Sequence, residues 1–412
     1  MERTPFYGQV RDRLIRYARV DTQSSRESGE TPTTKKQFDL AYLLRDELVE
    51  IGASDVWLDE KACVLYARLP STLPAGRGMA FGLVTHMDTA PDAPGANCRP
   101  WVLEEYDGGD ILLNREQGIV MGPREFPNLL NYVGQDLILT DGTTLLGGDD
   151  KAAIAALMTL AAHYAAHPEL PHRSICLAFT PDEEVGGLAQ DLDLDKLGAR
   201  FAYTLDGDHL GWYQDQTFNA AAANVRITGR SVHPATAKGI MINAVDLAAE
   251  FLQRLPPKEK PQYTAGTEGF YYVNDLQADC EQAEIRLIIR DFDRVKFQER
   301  QEYLLSCARE MNEALGEERV RVEITQQYRN MGEVLEQYPF LVRDLEAAIR
   351  AAGLEPKSEP FRGGTDGSAL SFRGLPSPNL SAGYENAHGR FEFVPVPSMA
   401  KNVEILIHLT ES

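Results

Sequence analysis

The chain has few cysteines, no long apolar run and a shortage of positive charge. Its five cysteines, at 63, 98, 176, 280 and 307, are scattered, odd in number and form no Cys-x-x-Cys pair. That spacing excludes a disulfide scaffold, and reduced, mostly structural thiols are expected. The longest largely apolar stretch, residues 152–162, is 11 residues, short of the roughly 20 that cross a bilayer. Lys and Arg total 41 against 62 Asp and Glu, a net charge of −21. Such a surface argues against nucleic acid or an anionic membrane as partner, since both need basic groups. A phosphate loop is missing too, because Gly147-Gly148 lacks the GxxxxGK[ST] spacing. The opening Met1-Glu2-Arg3-Thr4-Pro5 carries no apolar core of a signal peptide. The expectation is a soluble, cytoplasmic protein.

What is present is a set of acidic residues and histidines placed after apolar runs. Four clusters stand out: Thr85-His86-Met87-Asp88, Gly147-Gly148-Asp149-Asp150-Lys151, Pro181-Asp182-Glu183-Glu184 and Leu205-Asp206-Gly207-Asp208. A fifth, Ala387-His388-Gly389, lies far downstream. Any one of them reads as a helix N-cap or a polar loop. Together, without cysteine, they read as imidazole and carboxylate ligands for one or two divalent ions such as Zn²⁺.

The surrounding pattern is α/β. Amphipathic helices are expected over 5–20 and 35–51, the second stopped by Gly52. Apolar strands are expected at 63–69, 79–85, 174–180 and 201–205, with an Ala-rich helix over 151–163. Strands alternating with helices predict a doubly wound, mostly parallel sheet, and the four acidic clusters fall near its carboxyl edge, where open α/β sheets place ligands. From about 219 the pattern changes to strands at 220–228, 270–276, 284–289 and 320–325, with helices over 244–254 and 294–315. That β-α-β-β-α-β order predicts a ferredoxin-like insert. A further helix over 338–352 and the Gly-rich Arg362–Gly367 stretch then return to the first domain. The predicted division is 1–213 and 330–412 as one catalytic domain and 214–329 as an inserted lid or dimerisation domain.

A two-cation hydrolytic site needs a bridging carboxylate, terminal ligands on each ion and a base for water, with the ions roughly 3.5–4 Å apart. Asp149, His86, Glu184, Asp206 and His388 supply one bridge and four terminal ligands. Glu183, beside a ligand, is left as the base. Asp88, two residues from His86, is placed to hydrogen-bond the far ring nitrogen.

These motifs resemble the peptidase T family of aminotripeptidases, among the co-catalytic zinc peptidases and aminoacylases. The resemblance runs nearly end to end: Arg19–Ser24, Thr85–Thr89, Asp141–Ala152, Phe179–Glu184, Val232–Gly239, Ile289–Asp293, Arg362–Gly367 and His388-Gly389. It implies two Zn²⁺ per subunit, with Co²⁺ or Mn²⁺ as substitutes. Asp149 is then the bridge with a cis Asp149–Asp150 peptide, His86 and Asp206 hold one ion, and Glu184 and His388 hold the other. It implies Glu183 as general base and Asp88 as the carboxylate behind His86. Three substrate contacts follow as well: His233 at the scissile carbonyl oxygen, Arg290 at the peptide's terminal carboxylate, and Arg362 with its glycines near the substrate. The bland readings are a surface His233, an Arg290 paired with Asp291 or Asp293, and a simple turn at Arg362. Asp rather than Glu at 206 tends to accompany aminopeptidases and dipeptidases. The expected activity is removal of the N-terminal residue from tripeptides, with a small peptide as substrate and a homodimer formed through the insert. The nearest alternative is a dipeptidase or an N-acyl-amino-acid amidohydrolase with the same metals; a non-catalytic relative would have lost ligands that are all present here.

The chain departs from the family pattern in three places. Gly148 stands where Ala is usual, a change expected to be harmless. The segment 382–388 differs from the commoner aromatic-rich version, and 97–124 has no match, leaving recognition of the substrate's amino terminus unassigned.

Overall fold

The computed structural model describes residues 4–74 and 78–411, so the first three residues of the amino-terminal stretch read above lie outside it. The chain separates into two compact units, Met1–Asp215 with Met331–Glu359 and Thr365–Ser412, and Gln216–Asn330 with Pro360–Gly364.

The first unit is built on an eight-stranded sheet in the order Ser54–Asp59, Val64–Leu69, Ile175–Thr180, Phe81–His86, Ala202–Leu205, Asn379–Leu380, Trp212–Gln214, Lys357–Ser358. Its centre is parallel: Phe81–His86 runs parallel to both Ile175–Thr180 and Ala202–Leu205. Antiparallel pairs join Val64–Leu69 to its two neighbours and Trp212–Gln214 to Asn379–Leu380, so the sheet is mixed, with the other four pairings parallel. Phe81–His86 and Ile175–Thr180 are buried along their whole length. This explains their unbroken apolar sequence, since helices cover both faces of such strands. The Ala-rich helix Gly148–Ala166 is buried at nearly every position, and its small side chains let Tyr7–Ala18 and Val396–Glu411 pack close beside it. Gly52, at φ +91°, ends Gln37–Ile51 in a left-handed cap.

Several features had no sequence expectation, among them the main-sheet strands Ser54–Asp59, Trp212–Gln214, Lys357–Ser358 and Asn379–Leu380. Residues 101–139 form small sheets of their own, with Trp101–Leu103 and Val394–Pro395 flanking Leu137–Leu139, and a hairpin of Ile111–Asn114 with Ile119–Met121. The chain also closes with the helix Val396–Glu411, whose apolar face belongs to the main core.

The second unit is a four-stranded antiparallel sheet in the order Phe270–Ala278, Gln282–Asp291, Asn219–Thr228, Val320–Tyr328. With Ala244–Arg254 and Arg294–Leu315 in sequence between these strands, it has the expected ferredoxin-like order. Ala244, Leu247, Ala248 and Phe251 form the buried stripe of the first helix, the i, i+3, i+4, i+7 spacing of an amphipathic helix. No helix among the described residues is long and apolar enough to cross a membrane.

Candidate metal centre and active site

Five chain segments of the first unit converge near the carboxyl ends of its central strands. His86 is the last residue of its strand and is almost wholly enclosed. Its Nε2 lies 3.0 Å from Asp149 Oδ1 and 3.7 Å from Asp206 Oδ1. Its Nδ1 lies 3.3 Å from Asp88 Oδ1 and 3.1 Å from the Asp88 carbonyl oxygen. On the other side of Asp149, His388 Nε2 lies 3.3 Å from Oδ2 and 2.9 Å from Glu184 Oε2. Asp149 therefore stands between the two histidines. Ligand atoms of His86, Asp149 and Glu184 fall within 4.8 Å of one another, as do those of His86, Glu183 and Asp206.

Local backbone explains how these side chains arrive. Gly147 adopts φ +74°, a left-handed turn ahead of the Ala-rich helix, and Asp149 and Asp150 keep non-helical dihedrals inside that helix's first turn. The Asp149–Asp150 peptide is cis, as the resemblance implies. Gly148 fits a close approach: a Cβ there would lie 2.5 Å from Val394 Cγ2 and 3.0 Å from Glu392 Oε1. An Ala at this position would require Val394 or Glu392 to shift. Asp182 (φ +61°) and His388 (φ +62°) hold left-handed backbones that L-residues rarely adopt, and such conformations gather at functional loops. Asp182 is fixed by Thr33, whose N–H and hydroxyl donate at 2.8 and 2.5 Å, and by Gln37 Nε2 at 2.6 Å. The segment around Thr33 and Gln37 is thereby tied to the turn that carries Glu183 and Glu184.

The electrostatics are those of a cation site. Asp88, Asp149, Asp150, Glu183, Glu184, Asp206 and Asp366 crowd around His86. Among the described residues no Lys or Arg forms an ion pair with any of them. Burial, then the Asp206 charge, pushes Glu183 well above the carboxylate range. Burial and Asp149 raise Glu184 to about 8, and burial raises Asp366 to about 7. Hydrogen bonds donated to Asp149 and Glu184 lift His388 to about 11. At Asp149 burial opposes ionisation, but the bonds from His388 and His86 outweigh it and hold the carboxyl below its usual range. Glu184 Oε1, Asp150 Oδ1 and Asp366 Oδ1 are buried without a hydrogen-bond partner. Orphaned carboxylate oxygens beside two imidazoles fit hard or borderline divalent cations of the Zn²⁺ type.

Sequence reasoning missed the residues that hold this shell in place. Tyr384 donates its hydroxyl to Asp206 Oδ1 at 3.1 Å, Thr180 donates to Asp366 Oδ2 at 2.7 Å, and Thr85 donates to Asp150. Glu392 accepts three backbone N–H groups around Gly147. Asp88 does more than face His86: its two oxygens accept the N–H of Glu183 at 3.0 Å and of Glu184 at 3.2 Å. Only the last had a signal in the sequence, the His-x-Asp spacing.

His233, Arg290 and Arg362 belong to the second unit. His233 is exposed and its Nδ1 accepts the Ala235 N–H at 3.2 Å. In the neutral ring the proton is then on Nε2, which makes that atom a donor. Arg290 is buried in the sheet, with Nη1 donating to the Ala221 and Ile289 carbonyls at 3.2 and 2.9 Å and the guanidinium over Tyr328. It does not pair with its neighbours: Asp291 binds Arg300 and Asp293 caps the following helix. Arg362 donates to the Gly266 and Glu268 carbonyls and to Thr264 Oγ1, stacked against Phe218 and Phe270.

An α/β unit with such a cluster, carrying a ferredoxin-like insert, has the fold of the M20 peptidases. Residues 216–319 match the family described as peptidase dimerisation domain. The fold resembles a tripeptidase of Staphylococcus aureus (TM-score 0.77, 21% identity, 98% of each chain). It also resembles a dinuclear metal binding peptidase of the M20 family from Bacillus subtilis (TM-score 0.68, 12% identity, 98% of each chain). Peptidase T of Desulfitobacterium hafniense is 48% identical over 402 residues, 98% of this chain and 97% of the relative. The chain belongs to the peptidase T family.

Proposed function

We propose that this protein is a metal-dependent aminopeptidase that removes the N-terminal residue of tripeptides. The observation that carries the reading is the gathering of His86, Asp149, Glu184, Asp206 and His388 around buried carboxylate oxygens that lack partners. In this reading two Zn²⁺ ions would be held by Asp149 in common, by His86 with Asp206, and by Glu184 with His388. Bound there, they supply Lewis acidity to the peptide carbonyl and to the attacking water.

The chain's own groups carry the rest. Glu183 takes a proton from the water as its oxygen bonds to the carbonyl carbon. It returns that proton to the nitrogen as the C–N bond breaks, releasing a free amino acid and a dipeptide. Asp88 fixes the His86 ring and both backbone N–H groups of the Glu183-Glu184 turn. His233, a donor through Nε2, is assigned to the carbonyl oxygen where negative charge develops, and Arg290 to the peptide's terminal carboxylate, which would limit substrate length. Arg362, whose guanidinium is hydrogen-bonded within its own unit as that of Arg290 is, stays assigned with its glycines to the surroundings of the substrate. The match over 216–319 supports a homodimer formed through the insert.

Hydrolysis of one tripeptide is measured beside its dipeptide, tetrapeptide and N-acetylated forms, with and without chelator. The expected result is cleavage of the free tripeptide alone, lost on chelation. Turnover of the acetylated form or the dipeptide instead would move the function to the amidohydrolase or dipeptidase branch.

A further inference from the structure

We propose that Glu392 is a positioning residue that sets the separation of Asp149 from His388, so that the cation assigned to Glu184 and His388 depends on it more than the cation assigned to His86 and Asp206. This rests on the two-metal reading above. Glu392 is 2% exposed, and its carboxylate is spent on the turn that carries Asp149. Oε2 accepts the N–H of Leu146 at 3.0 Å and of Gly147 at 2.7 Å, and Oε1 accepts the N–H of Asp149 at 2.9 Å. These donors precede the regular helix and have no intrahelical acceptor. Gly148 leaves the space the carboxylate uses, since a Cβ there would come within 3.0 Å of Glu392 Oε1.

The same residue stands four places after His388. Glu385 and Phe393 exchange backbone hydrogen bonds at 2.9 and 3.0 Å and close a loop over 385–393. His388 sits in that loop with φ +62° and a half-exposed side chain. His86, by contrast, ends a fully buried strand and is 1% exposed. The two histidines are therefore held unequally. Strand packing fixes His86, whereas His388 is fixed by its loop, which is tied at the Glu385–Phe393 rung and through the Glu392 carboxylate to the Asp149 turn. Asp149 keeps its contact with His86 if Glu392 changes; the span to His388 loses its strut.

The test uses Glu392→Gln, which keeps the shape but must turn an amide NH₂ toward at least one of three N–H donors, and Glu392→Asp, which is one methylene too short to reach them. Zinc is titrated against a chromophoric chelator, with kcat, KM and the unfolding temperature of the metal-free protein measured alongside. The expected result is two zinc ions in the wild type and, in Glu392→Gln, one affinity lowered about 10- to 100-fold with the other unchanged and kcat reduced more than KM. Glu392→Asp should show the same selective loss, and it carries the test if Glu392→Gln fails to fold. Both affinities at wild-type level, or both lowered alike in a folded variant, would overturn the assignment while leaving the two-metal reading intact. A wild type that takes up fewer than two ions would overturn both.

Discussion

Replacing Asp88 by Asn tests the support of the site without touching a proposed ligand. Asp88 is fully enclosed. Its Oδ1 and Oδ2 separately accept the N–H groups of Glu183 and Glu184 at 3.0 and 3.2 Å, and Oδ1 faces His86 Nδ1 at 3.3 Å. Asparagine has the same shape, but one oxygen becomes an NH₂ group, and in either orientation that donor meets the N–H of Glu183 or Glu184. A buried donor left without an acceptor costs about 1–3 kcal/mol. At about 1.36 kcal/mol per decade this corresponds to a loss of roughly 5- to 160-fold. That range encloses the 10- to 100-fold typical of groups behind a metal ligand. Asp88→Asn should therefore lower zinc affinity and kcat/KM together by about 10- to 100-fold. It should also lower the unfolding temperature of the metal-free protein, because two of the three contacts are to backbone and need no metal. Zinc titration, tripeptide kinetics and a melt of the chelated protein measure the three. Values within twofold of wild type on both zinc affinity and kcat/KM would refute the argument that this carboxylate supports the site.

Glu183→Gln should reduce kcat by about 10²- to 10⁴-fold with both zinc ions retained. Loss of zinc would instead make Glu183 a ligand, as its grouping with His86 and Asp206 allows. Gly148→Ala should destabilise the protein by about 1–3 kcal/mol, the range for forcing a methyl into a packed site, because its Cβ meets Val394 at 2.5 Å; an unchanged chemical denaturation midpoint would show that the neighbours give way. The chelated protein should lose stability as pH rises from about 4.5 to 8. Glu184 and Asp366 are raised to about 8 and about 7 in the folded state. The unfolded chain therefore ionises first, and the folded state's advantage, complete below the unfolded values, is lost through the folded ones. Saturating zinc should flatten that dependence, which melting curves across pH would record.

The fold was legible where one physical rule dominates. Strands buried on both faces read as unbroken apolar runs, as at 81–86 and 175–180. The amphipathic helices of the second unit, such as Ala244–Arg254, show their period of 3.6. The sheets within 101–139 were not legible, because strands of three or four residues are too short to establish a period. The helix Val396–Glu411 is preceded by Pro395 and holds Pro397 in its first turn, so its start looks like a break in the pattern. Metal-ligand candidates could be read because each lies in a short motif, and those of His86, Glu184 and Asp206 stand at or just after the end of a strand. Tyr384 and Glu392 could not, since they act through contacts with residues 178 and 243 positions away in sequence.

The Gly-rich Arg362–Gly367 stretch shows a different limit. As a motif it is one unit, and the arginine looks like its chemical part. In the structure the stretch is divided: Arg362 is stacked and hydrogen-bonded within the second unit, while Asp366 opens a helix of the first unit and is buried against Thr180 beside the acidic cluster. The residue that adds charge to the candidate site is the aspartate. The same distinction applies to the net charge of −21, which as a total is of the kind that favours solubility. Part of that charge is not on the surface. Seven carboxyl groups stand around one enclosed histidine with no Lys or Arg paired to them among the described residues. Buried carboxylates in that number are stable only when protonated or when cations are bound among them. At neutral pH, composition predicts a soluble chain; the placement of its acids calls for metal.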